Sequence, residues 1–386
     1  MSQFSSSIIT SINDIPGPAW DACAGVDNPF VAHAFFAALE QSGSATRETG
    51  WLPQHVIVQD AAGAVAGVMP LYLKSHSYGE YVFDHGWAEA FERAGGRYYP
   101  KLQSSVPFTP VTGPRLMAHP DFPQNDVRKA LLKAATDRAQ ELGVSSLHLT
   151  FLREDEWQLA GQSGFLQRTD QQFHWENRGY AHFADFLAEL SSRKRKMITK
   201  ERREAVANDI TIEQLTGSQI TEAHWDAYFD FYVDTGNRKW GRPYLNRQFF
   251  SLLGEGLSDR ILLVMCKRAG RYIAGALNLI GADSLYGRYW GAIEEHRFLH
   301  FEVCYYQAIN FAIERGLKRV EAGAQGEHKL ARGYLPSKTF SAHWIADAGF
   351  RGAVENFLER ERVAVDRNIE ILNDYAPFRH AEDTKE

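Results

Sequence analysis

The segment Glu321-Ala-Gly-Ala-Gln-Gly-Glu-His-Lys329 brings four polar side chains together between tight turns. Its two glycines permit sharp backbone turns, and Gln325, Glu327, His328 and Lys329 supply donors, acceptors and titratable groups. Glu327 or His328 is the candidate general base. The segment ends a predicted strand, RVEAG, and ligands of open α/β sheets bind at the C-terminal ends of strands. Gln325, Lys329 and Arg332 are candidate binding residues, with Tyr289 and Tyr305 just upstream. A second group, Asp84, His85, Trp87, Tyr99 and Lys101, surrounds a stretch without helical period. Its carboxylate and histidine suit a wall that grips an amine or hydroxyl. The plainer alternative is a buried Asp–His pair bracing the loop. His174-Trp175 is expected to border the same cleft.

Two further patterns carry less. His296, His300 and Glu302 invite a zinc reading, but they sit at a loop-to-helix junction and lack the His-Glu-x-x-His order, so no metal is expected. Residues 191–203, SSRKRKMITKERR, carry seven Lys or Arg against one Glu. On a helix they spread over more than one face and form a solvated surface, or else a phosphate-binding one for CoA or tRNA. Glu201 and Glu204 dilute the run through i,i+4 pairs.

The elements that must position these groups follow from periodicity. A helix is predicted over 28–42, then strands HVIVQD and AVAGVMPLYLK joined by Asp60-Ala61-Ala62-Gly63, and a short strand at Tyr81-Val82-Phe83 before a DHGW loop. Residues 98–115 read as an ordered irregular segment with four prolines. A helix over about 125–142 with an Asn or Asp cap, the strand SLHLTF, a short helix and the strand FLQRTDQQFHWEN complete the first half. After Tyr180 the pattern restarts: a helix pair over 182–207, the strand ITIEQL and an aromatic helix over 218–237. Strands ILLVMCKR, YIAGALNLI and LYGRYWGAI follow, then the helix FEVCYYQAINFAIERG and RVEAG. The coarse order looks duplicated, so two mixed α/β domains are predicted, 1–180 and 181–386.

Composition bounds the classes. The chain has 386 residues, 44% of them hydrophobic, enough for two cores. A net charge of −6 excludes a general polycation for nucleic acid. No window approaches the roughly eighteen apolar residues of a membrane span. MSQFSSSIITSINDIP lacks a signal-peptide pattern, and Cys23, Cys266 and Cys304 are too scattered for a disulfide framework. A cytoplasmic location is expected.

The blocks FLHFEVCYYQAINFAIERGLKRVEAGAQGEHKLARGYLP (298–336) and DHGWAEAFERAGGRYYPKLQSSVPFTPVTGPRL (84–116) resemble the FemAB-like family of N-acyltransferases, and the resemblance spans about 25–375. It implies two fused GNAT-like domains of α/β class with mixed sheets, and transfer of an acyl or aminoacyl group to a small-molecule or peptide-like amine. It also implies no tightly bound cofactor, with acyl-CoA or aminoacyl-tRNA as co-substrate. In the GNAT fold the donor lies where two parallel strands splay, here LYGRYWGAI and RVEAG, and a helix N-terminus receives its pyrophosphate. CoA-binding members carry glycines at that helix entry, whereas this chain reads Arg297-Phe-Leu-His-Phe-Glu302. The resemblance makes Tyr334 a candidate acid for the leaving group, and places one of Tyr305 and Tyr306 toward the cleft. Catalysis is expected in a cleft between the domains. The alternatives are a non-catalytic GNAT pair that binds a metabolite or peptidoglycan precursor, and a metal-dependent hydrolase.

Overall fold

The computed structural model describes residues 4–239, 243–323 and 326–379, without the side chains of Lys239 and Glu327. The chain divides into two compact units: 1–170 with 338–367, and 171–337 with 368–386.

In unit 1, β1 (Ser5–Ile9) is followed by helices α1 (Gly17–Ala24) and α2 (His33–Gln41). The helix predicted over 28–42 is interrupted: Pro29–Val31 form a separate 3-10 turn capped by Asn28. Then come β2 (Trp51–Pro53), β3 (His55–Gln59), β4 (Val65–Met69) and β5 (Tyr72–Lys74), the run AVAGVMPLYLK being broken at Pro70. No strand forms at 81–83, where Tyr81 takes φ +60°, and the expected DHGW loop is the start of α3 (His85–Arg93). The segment 98–115 is not wholly irregular, because it contains β6 (Lys101–Ser104). After β7 (Met117–Ala118), α4 (Gln124–Leu142) begins after Pro123 without the expected side-chain cap and ends at the left-handed Gly143. β8 (Ser146–Leu152), α5 (Glu154–Gln162) and β9 (Leu166–Glu176) follow as predicted.

Strands β1, β3, β4 and β7 make a small antiparallel sheet. In the other sheet β2, β5 and β6 run antiparallel, and β6 pairs parallel with β8 through Leu102↔Leu147, Gln103↔His148 and Ser104↔Leu149. Alternation along these strands separates two faces. Leu102, Leu147 and Leu149 enter the main core with Val56, Val58 and Leu131. Lys101, Gln103, Ser146, His148 and Thr150 take the opposite face, and all five are buried too.

Unit 2 contains α6 (Phe183–Glu189), α7 (Ser192–Ala205), β10 (Thr211–Thr216), the aromatic α8 (Glu222–Lys239) and α9 (Arg247–Leu257). Trp225, Tyr228, Phe231 and Tyr232 of α8 are buried at helical spacing. The hairpin β11 (Ile261–Arg268) and β12 (Arg271–Ile280) turns at Ala269-Gly270, both with positive φ, as a tight two-residue loop requires. β13 (Ser284–Ala292) leads into α10, residues 299–314, whose Glu302–Tyr306 segment is π-helical. β14 (Arg319–Glu321) pairs parallel with β13, and its other edge pairs antiparallel with His174–Glu176 of β9.

The chain then forms β15 (Leu335–Ile345) and α11 (Ala348–Asp374). Phe340–Ile345 pair antiparallel with β8, completing the sheet of unit 1 with Ser341 and His343 on its polar face. Unit 1 thus takes a strand from beyond its own contiguous stretch of sequence. No helix among the described residues is long and apolar enough to cross a membrane.

Candidate active site

Strands β13 and β14 stay paired for three residues, Ser284↔Arg319, Leu285↔Val320 and Tyr286↔Glu321. β14 then ends while β13 continues to Ala292, so the two part. On its other edge β13 is bulged: Ala276 faces Trp290 and Asn278 faces Gly287, leaving Arg288 and Tyr289 against Leu277 alone. A bulge of this kind bends the strand and re-aims its side chains. The Tyr228 hydroxyl of α8 donates to Tyr289 O at 2.8 Å and fixes the bulge. A cavity of about 80 Å³ fills the opening, lined by Asn278, Gly287, Tyr289, Cys304 and Tyr305 among others. Trp290 and His300 line both this cavity and a wider one of about 570 Å³, around Arg238, His296 and Arg297.

The loop after β14 closes on the same opening. The Tyr305 hydroxyl and His328 Nε2 are 2.9 Å apart. Burial lowers the His328 pKa, and Arg332 and Lys329 lower it further, so the ring is neutral near pH 7. Lys329 is buried, donates to Gly323 O at 3.0 Å, and is pushed down to about 7 by burial and by Arg288. Burial raises Glu321 to about 7, only partly offset by Arg288 at 3.7 Å and by Arg319. Arg332 lies 3.5 Å over the Phe301 ring, donates to His328 O at 2.7 Å and to Glu201 at 2.8 Å. The Tyr306 hydroxyl also donates to Glu201. Tyr334 is fully buried, with its hydroxyl 3.5 Å from Tyr305 O.

The structure therefore gathers Tyr289, Tyr305, His328, Lys329, Arg332 and Tyr334 about one opening in unit 2. Gln325 and the side chain of Glu327 lie outside the described residues. Arg332 is already committed to Glu201 and to the His328 backbone. His174 is buried on β9, with its pKa lowered to about 3 by burial and by Arg319. Asn278, His300, Trp290 and Cys304 also line the opening, and sequence reading did not select them for it. Strand alternation gives no sign of Asn278 and Trp290, because a bulge breaks it, and His300 and Cys304 lie on α10.

The zinc candidates are otherwise engaged. His296 Nε2 bonds Glu294 at 2.9 Å, and Glu302 accepts from Arg202 at 3.1 Å and from Gln307 at 2.7 Å. Among the described residues no cluster of three His, Cys, Asp or Glu side chains could hold a metal. On α7, Arg193, Lys196, Lys200 and Arg203 form an exposed stripe at three- and four-residue spacing, while Lys194, Arg195 and Arg202 are half-buried on other faces, so the run spreads as expected. Ile198, Glu201 and Ala205 are buried on the same helix. Its C-terminal end reaches the wider cavity's rim, where Glu204 pairs with Arg297 at 3.4 Å.

In unit 1, Asp84, Trp87, Tyr99 and Lys101 assemble, but His85 does not. It is exposed, with its ring against Tyr78 and Phe83. The partner of Asp84 is Lys101, which also donates to Glu80 at 2.7 Å and Ser77 at 2.8 Å. Tyr98 donates to Asp84 at 2.7 Å and lies 3.3 Å from His148 Nε2. His148 and His343 share a hydrogen bond of 2.7 Å between their Nδ1 atoms, and Trp87 packs edge-on to His343. Tyr99 bonds Ser77 at 2.8 Å. Burial opposes ionisation of Asp84, but Lys101 outweighs it and holds the carboxyl well below its usual range. His148 alternates with leucines in SLHLTF, which was the available sign that a polar group lies opposite the core.

The chain has a tandem GNAT-like fold, in which parallel strands pair briefly and then part, with a helix starting beyond the gap. FemX shares it at a TM-score of 0.55 and 13% identity, over 91% of this chain and 100% of FemX. The C-terminal domain of a putative lysylphosphatidylglycerol synthetase from Agrobacterium fabrum gives 0.54 at 9% identity, over 89% and 94%. L-PGS from Bacillus licheniformis gives 0.50 at 9%, over 83% and 95%. At such identities these structures show the fold alone. No curated protein is significantly similar in sequence. The chain belongs to the FemAB-like family, described as peptidoglycan biosynthesis/recognition, whose model matches residues 11–380.

Proposed function

We propose that unit 2 transfers an aminoacyl group from aminoacyl-tRNA to a peptide-like amine at the opening between β13 and β14. The observation that carries this is the Tyr305–His328 pair beside a cavity where two parallel strands part. The acceptor nitrogen attacks the ester carbonyl, a C–N bond forms, and the bond to the ribose oxygen breaks. His328, neutral at pH 7, takes the proton from nitrogen, and the departing oxygen is protonated from Lys329 or solvent. Glu327 is the second candidate base and Tyr334 the second candidate acid.

Two features favour tRNA over CoA as donor. The N-cap of α10 is bulky Phe298, and the entry carries no glycine that would bare its backbone amides to a pyrophosphate. The exposed basic stripe of α7 ends near the wider cavity and suits a phosphate backbone. The family's description supports a peptidoglycan-type acceptor. The test is thermal melting with tRNA, acetyl-CoA, longer acyl-CoA and free CoA, followed by transfer from tRNA charged with labelled amino acid. Stabilisation by tRNA that weakens with salt, together with amide-linked label, is expected. A saturable rise with a CoA species, roughly 2.7 kcal/mol at a hundredfold excess over Kd, would reassign the donor.

A further inference from the structure

Asn278 lines the small cavity and is 1% exposed. Its Nδ2 points to Leu262 O at 3.3 Å and Ala276 O at 3.5 Å, which fixes the amide's orientation. Its Oδ1 is left with no hydrogen-bond partner among the described residues. A buried acceptor without a partner is costly, and folded proteins rarely leave one unmet. The strand partner of Asn278 is Gly287, and a Cβ there would lie 3.2 Å from that oxygen. The pair therefore holds an orphaned acceptor beside open space at the point where the strands part.

The missing donor has a definable character. It must be small, since the cavity is about 80 Å³. The guanidinium of Arg288 lines the same space, with Lys329 nearby, so a cationic donor is disfavoured. An acyl transfer to nitrogen needs an uncharged N–H group at that place. We propose that Asn278 is a specificity-determining residue that accepts a hydrogen bond from the deprotonated acceptor amine and selects it over its ammonium form. This rests on the reading that the opening is the reaction site.

The probe is trifluoroethylamine, uncharged at slightly alkaline pH, followed by fluorine NMR with the full chain. Trifluoropropane has a similar shape and no N–H. The amine is expected to bind saturably and roughly five-fold more tightly, the value of one net hydrogen bond. Asn278→Leu is expected to level the two probes. Gly287→Ala, which keeps the asparagine and crowds its oxygen, is expected to do the same with unchanged melting temperature. Equal binding of both probes, no saturable binding of the amine, or a preference that survives both variants would overturn the proposal. Transfer activity with the preference absent sinks this inference alone. An intact preference without transfer activity sinks the functional reading alone.

Discussion

Both units contain a parallel strand pair of three residues, β6/β8 in unit 1 and β13/β14 in unit 2. Their surroundings differ. Beside β6/β8 the polar face is occupied by its own side chains: Lys101, Asp84, Tyr98, His148 and His343 are buried and bonded in sequence. Beside β13/β14 a bulge and a glycine keep a cavity, and the polar groups sit at its rim. The same strand pairing can be braced from within or left open around a cavity. What differs is whether side chains fill the space beside the pair or a cavity is kept there.

The hardest test of this contrast is Lys101→Met. It leaves Glu80 and Asp84 without their shared cation and is expected to cost about 3–5 kcal/mol in urea unfolding. A loss under about 1 kcal/mol would mean that the cluster is not a brace and that the contrast is wrong. His328→Gln is expected to do the opposite: transfer falls roughly a hundredfold or more, while stability stays within about 0.5 kcal/mol. A comparable fall in stability would place His328 among the braces.

Acid sharpens the contrast further. Burial lowers His148 to about 3 and His343 well below 6.5, so between pH 6.5 and that range the unfolded chain binds more protons. Their contribution is present above pH 6.5 and is lost as pH falls. Glu80 and Glu321, each raised by burial to about 7, act in the opposite sense between pH 4.5 and 7, but His174, lowered by burial to about 3, adds to the His148–His343 pair. Melting temperature is therefore expected to drop with acid, and His343→Phe to flatten the slope. The smallest effect belongs to α7. Lys196→Ala and Arg203→Ala are each expected to reduce the salt dependence of tRNA binding by about one in log–log slope, with little change in melting temperature.

Much of unit 2 could be read from its sequence, because its strands are short aliphatic runs and its helices keep a clear 3.6 period. The polar loop at 321–329 was visible for the same reason: titratable side chains stand at a strand's end. The network of unit 1 was not. His148 and His343 lie 195 positions apart in sequence and meet only through the β8–β15 pairing, which no local pattern specifies. Asp84 appeared beside His85 in sequence, but the start of α3 turns His85 outward and leaves Asp84 to Lys101. Within the basic run, only the burial of Ile198, Glu201 and Ala205 on α7 shows which cations are exposed and which are half-buried.

The strand that completes unit 1 comes late. During synthesis the polar face around His148 waits until Ile345 has left the ribosome before β15 can cover the open edge of β8. Until then that edge is a template for wrong pairing. A fragment cut near residue 180 also removes His174–Glu176 from their antiparallel pairing with β14. Neither half of the gene therefore encodes a self-sufficient folding unit, and recombination that shuffles one half without the other is expected to yield insoluble protein.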